Sequence, residues 1–163
     1  MLILSFPLAF LIHDMEEIIV QHKWMAAHKD DLLRRFPRIQ PIINHLSGLS
    51  QKAFTIAVLE ELVLLLLVTA YYLLGGAYAL EVWTAIFMAF SIHLVVHIGQ
   101  GCIVRGYVPG IISSILLLPY SYFVINNFCQ TMSFGKLALL SVIGFACIAL
   151  NLRLAHWLGK KLS

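Results

Sequence analysis

His13, Asp14, Glu16 and Glu17 place one imidazole and three carboxyls within five residues of an otherwise apolar run from Met1 to Val20. On a helix turning about 100° per residue, Glu17 lies about 40° to one side of His13 and Glu16 about 60° to the other. Three groups able to bind a cation or carry a proton therefore share one face. His93, His97 and Gln100 follow i, i+4, i+7 spacing and draw a narrow polar stripe along a second apolar segment. Two imidazoles one turn apart can bind a single divalent cation from one helix face. Glu60 and Glu61 add two carboxyls in a third such segment. An ionisable group at the centre of a bilayer costs about 2.5 kcal/mol or more, so each of these needs a partner, a metal or a proton-carrying role.

These residue types point to a divalent metal site, zinc first and iron second. His13, His93 and His97 are the candidate imidazole ligands, and Glu17, Glu60 and Glu61 the candidate carboxylates. Glu16 or Glu17 is the candidate base on a metal-activated water, and Tyr107 the candidate to steady a substrate or an oxyanion. The pattern H-E-x-x-H is absent, since Leu94 follows His93, so a catalytic carboxylate has to arrive from another helix. The competing reading makes the acids neutral and hydrogen-bonded across helices. Adjacent residues point about 100° apart, so one member of each Glu–Glu pair is expected to reach the centre. Asp14 is expected behind the ligands or at the interface, and His22, His28, His45 and His156 at the surface or headgroup level.

The elements that must position these groups are membrane helices. The chain has 163 residues, 61% of them hydrophobic and 12% charged, with mean hydropathy +0.90. That balance excludes an ordinary soluble domain and predicts an all-α, polytopic membrane helix bundle. About five crossings are expected, at roughly 1–22, 53–74, 81–104, 107–126 and 136–158, each near the roughly 20 residues that the hydrocarbon core demands. Residues 1–163 read as a single transmembrane domain. The first segment lacks the basic start and the cleavage site of a signal peptide, so it is expected to stay in the mature protein. Residues 23–52 form the one long polar connection, expected to lie on the cytoplasmic membrane surface with Trp24, Leu32, Leu33 and Phe36 turned inward.

Lys23, Lys29, Arg34, Arg35, Arg38, Lys52, Arg105, Arg153, Lys160 and Lys161 fall on one side of this arrangement, and Lys136 alone on the other. The positive-inside rule then sets the N-terminus outside and the C-terminus in the cytoplasm. The net charge of +3 comes from this asymmetry and does not signal nucleic-acid binding. Cys102, Cys129 and Cys147 show no metal-binding or redox spacing and read as packing residues.

Depth ties the three sets together. At about 1.5 Å per residue, His13 to Glu17 lie roughly 17 to 23 Å from the outer edge, Glu60 and Glu61 about 19 Å, His93 about 18 Å and His97 about 24 Å. Three helices thus deliver acids and histidines to one layer.

His13-Asp14-Met15-Glu16-Glu17, with Tyr107-Val108-Pro109-Gly110 downstream, resembles the signature of the H-x-x-E-E family of small bacterial and archaeal membrane proteins. That family is also described by a further histidine, which would be His93 or His97, and by a Y-x-P-G motif. The resemblance runs from residue 13 to residue 110. It implies a multi-pass protein of the bacterial inner membrane with a site at these motifs, and supplies no reaction. The leading expectation is a metal-dependent hydrolase of a lipid-like or amphipathic substrate, with an iron oxidoreductase as a variant. Proton- or cation-coupled transport and a structural subunit with a polar core are the other classes. Membrane lipid, a lipid-like substrate and a second copy of the chain are the expected partners.

Overall fold

The computed structural model describes residues 2–163 and is all-helical: α1 Leu2–Arg35, a short 3-10 turn Pro37–Ile39, α2 Gln40–Ser47, α3 Gln51–Leu73, α4 Ala79–Val104, α5 Ile111–Cys129 and α6 Phe134–Leu162. Met1 and the side chain of Cys129 lie outside the description. Helices α3, α4, α5 and α6 are each long and apolar enough to cross a membrane. Large aliphatic and aromatic side chains such as Leu67, Leu116, Phe123 and Val142 face outward, as a lipid-facing surface requires.

Several boundaries differ from those read in the sequence, each for a local reason. Helix α1 does not stop near residue 22. Its polar second half keeps helical spacing until Pro37, which disfavours helical geometry in the preceding residue, and Phe36 leaves the helix at φ −131° and ψ 60°. Met25 and Leu32 of that half bury against Ile43 of α2, with Trp24, Leu33 and Phe36 packed around them. Helix α5 starts at Ile111 and not near residue 107, because Gly110 adopts φ +81°, a left-handed conformation that glycine reaches without strain. The Ser50 and Ser133 hydroxyls accept from the Ala53 and Lys136 amides and so cap α3 and α6.

The five long helices close a ring in the order α1, α3, α6, α4, α5 and back to α1. Glycines on α6 bring backbones together: a methyl group at Gly144 would overlap the Ala85 carbonyl of α4, and one at Gly159 the Ala53 carbonyl of α3. Close backbone approach through small residues is the usual glue between helices in lipid. Towards one end, Phe6 of α1 packs on Trp83, Phe87 and Phe90 of α4 with ring centroids 5.0–5.3 Å apart. At that end the Lys136 ammonium donates to Glu81 at 2.8 Å, which matches the sole cation assigned to the outer side with an acid.

Candidate metal centre

Two turns along from Phe6, α1 presents His13 and Glu17 to the inside of the ring, and α4 presents His93 and His97. Each of the four residues offers one ligand atom, and these atoms all lie within 4.8 Å of one another. His93 Nε2 and His97 Nε2 are 3.0 Å apart, and Glu17 Oε1 is 3.1 Å from His97 Nε2. Donor atoms bound at about 2.1 Å to one tetrahedral ion stand about 3.4 Å apart, so the group already has nearly the spacing of a coordination shell. His13, Glu17 and His97 are buried, and Phe90 sets its ring edge against the His13 ring at 5.8 Å between centroids.

Hydrogen bonding selects the form of His13. The Ser113 hydroxyl lies 2.6 Å from Glu16 Oε2 and 3.0 Å from His13 Nδ1. Its one proton goes to the closer carboxylate oxygen, so the hydroxyl oxygen accepts from His13 Nδ1–H. That leaves the lone pair on His13 Nε2, a buried atom with no hydrogen-bond partner. An imidazole held from behind through one nitrogen, with the other bare and facing two more imidazoles, is the arrangement found at metal ligands.

Glu16 does something else. Its carboxylate accepts from the Ser113 amide at 2.7 Å, the Ser113 hydroxyl at 2.6 Å, the Ile112 amide at 3.4 Å and the Tyr107 hydroxyl at 2.9 Å. These amides belong to the first turn of α5, whose N-cap, Gly110, has no side chain. A carboxylate from α1 therefore caps α5 from outside, where unpaired N–H groups and the positive end of the helix dipole favour a negative charge. Tyr107 lies in the connection between α4 and α5, and burial followed by its bond to Glu16 push its hydroxyl up to about 12, so it remains a donor.

The Tyr107-to-Gly110 connection forms one wall of the centre. A Cβ on Gly110 would stand 3.0 Å from His13 Cε1, 3.0 Å from His97 Nδ1 and 3.1 Å from Glu17 Oε1. The glycine lets the backbone press against three of the four grouped residues at once.

The other sequence candidates are elsewhere. Glu60 accepts from the Asn151 amide of α6 at 3.0 Å, and Glu61 faces a cavity together with Asp14. Neither belongs to the four-residue group. His156, expected near the headgroups, is buried, and its Nδ1 lies 3.0 Å from His45 Nε2 of α2. Cys102 and Cys147 are free thiols facing outward instead of core packing residues. Sequence reasoning missed Ser113, whose hydroxyl joins Glu16 to His13, and Gly110 as a wall. Ser113, the first of two adjacent serines three residues beyond the Y-x-P-G motif, gave no periodic signal that could have found it.

A family model described as a protein of unknown function with HXXEE motif matches residues 4–124. No curated protein and no solved structure gives a significant match.

Proposed function

The chain belongs to the HXXEE family, and we propose that His13, His93 and His97 hold a divalent ion, zinc in the first place, with which the protein hydrolyses a lipid-like substrate inside the membrane. The observation that carries this reading is the convergence of four ligand atoms from α1 and α4 within 4.8 Å. The fit to a metal rests on the bare, buried Nε2 of His13 and on the clustering of three imidazoles with one carboxylate. Imidazole suits zinc and iron alike, and among the described residues no thiolate joins the group. When bound, such an ion supplies Lewis acidity, activating water near neutral pH and polarising a carbonyl oxygen.

The chain's own groups divide the remaining work. Three histidines fix the ion's position, and Glu17 takes the proton of the attacking water as general base. Glu16, Tyr107 and Ser113 position His13 and the connection over the site without touching the reacting atoms. The surrounding helices exclude bulk water, which strengthens every electrostatic contact at the centre. The site then lies in a multi-pass protein of the cell membrane.

The test is a panel of lipid esters and amides incubated with zinc-loaded full chain in lipid nanodiscs. Wild type should release product, and Glu17→Gln should keep the ion but lose roughly 100-fold or more in turnover. Equal turnover by Glu17→Gln would remove the base, and a panel left intact by zinc-loaded wild type would overturn the hydrolase.

A further inference from the structure

Behind His93 a cavity of about 320 Å³ opens between α1, α3, α4 and α6, within the range of small-molecule sites. Most of its wall is apolar, including Phe6, Phe10, Leu65 and Phe90. Leu64, Leu152 and Cys147 also line it and face outward from the bundle, so the cavity reaches the lipid-facing surface.

Two of its polar groups are carboxyls with an unpartnered oxygen. Asp14 is 5% exposed, and its Oδ2, like Oε1 of Glu61, is buried without a hydrogen-bond partner. Neither Lys nor Arg lines the cavity. The one carboxamide in the wall, Asn151, donates to Glu60 at 3.0 Å, and the Nε2 of His93 faces His97. The wall therefore offers two carboxyl oxygens without partners and no Lys or Arg beside them. A buried carboxyl oxygen without a partner is destabilising, so whatever fills the space gains by donating to both.

We propose that this cavity binds a single-chain amphiphilic amine, its ammonium group between Asp14 and Glu61 and its hydrocarbon chain along the apolar wall towards the lipid. An ammonium supplies N–H donors to both oxygens and the charge that the lining lacks. Phe6, Phe10 and Phe90 line the same wall, and aromatic rings favour a cation near them. Such a head sits beside His93, so in the hydrolase reading the substrate is an amine of this class whose chain also carries an ester or amide bond; turnover rests on that reading, whereas binding needs no ion.

The test uses full-length protein in detergent and a dodecylamine carrying a photoreactive diazirine near its chain end. Peptide mapping should place the crosslinks on α3 and α6 near Leu64 and Ile148. Unlabelled dodecylamine should displace the probe at least roughly tenfold more effectively than dodecanol or dodecanoic acid. Asp14→Asn/Glu61→Gln should erase that preference while leaving dodecanol competition within about twofold. Cys147→Phe, at the outward mouth, should block labelling even if the double variant fails to fold. His97→Ala, outside the cavity lining, should retain the amine preference, so loss of metal and loss of amine recognition are separate failures. Equal competition by amine and alcohol, or a preference that survives Asp14→Asn/Glu61→Gln, would overturn the proposal.

Discussion

Replacing Gly110 by alanine tests whether the connection between α4 and α5 shapes the metal centre. Two costs add. The residue sits at φ +81°, and a side chain in left-handed geometry costs roughly 1 to 2 kcal/mol. The new methyl would also stand 3.0 Å from His13 and His97 and 3.1 Å from Glu17. Heavy atoms settle at about 3.5 Å or more, so the loop or the three side chains must give way by about 0.4 Å. Metal–ligand distances tolerate about 0.2 Å. The displacement exceeds that, and zinc affinity should fall by roughly 10- to 100-fold, the range seen when the support of a ligand is removed. Competition against a chromophoric chelator measures the affinity, and thermal unfolding of the apoprotein measures the strain separately. Gly106→Ala, where a Cβ would meet nothing within 4 Å, is the control and should leave zinc affinity unchanged. Wild-type affinity in a folded Gly110→Ala protein would refute the reasoning.

Ser113→Ala removes the partner of His13 Nδ1 and should lower zinc affinity by roughly 10-fold or more in the same titration; unchanged affinity would reject the orienting role. Gly144→Ala and Gly159→Ala should each cost about 1 to 3 kcal/mol of stability through overlap with the Ala85 and Ala53 carbonyls, while Gly135→Ala, in open space, should not. Thermal unfolding decides this, and equal midpoints for all three would show that α6 does not depend on close approach. Difference titration of tyrosinate absorbance, wild type minus Tyr107→Phe, should give a midpoint near 12. Because the folded value lies above the ordinary tyrosine value, the stability this group contributes is complete below about pH 10 and is lost as pH rises through 12. A midpoint near 10 would mean that the bond to Glu16 is not made.

Spacing and depth bring His13, Glu17, His93 and His97 to one expected level, together with Glu16, Glu60 and Glu61, because helical period fixes which side chains share a face and rise per residue fixes their level. Neither fixes the rotation of one helix about its axis relative to another. Glu60 meets Asn151 of α6 and Glu61 lines the cavity, so α3 turns neither into the four-residue group. The continuation of α1 to Arg35 was readable in principle, since Pro37 is the first residue after Pro7 that breaks helical geometry. Composition concealed it, because a polar stretch leaving a membrane segment reads as a connection. The cap on α5 was not readable: it comes from Glu16, 97 residues before Ser113, and only the folded ring brings the two together.

The central claim is that this histidine and glutamate group is a metal centre. Elemental analysis of purified wild type beside His93→Ala/His97→Ala, both shown to be folded by circular dichroism, tests it most directly. The account predicts one equivalent of zinc or iron in wild type and its loss in the double variant. Folded wild type that holds no metal after reloading, or a double variant that holds as much, would contradict it.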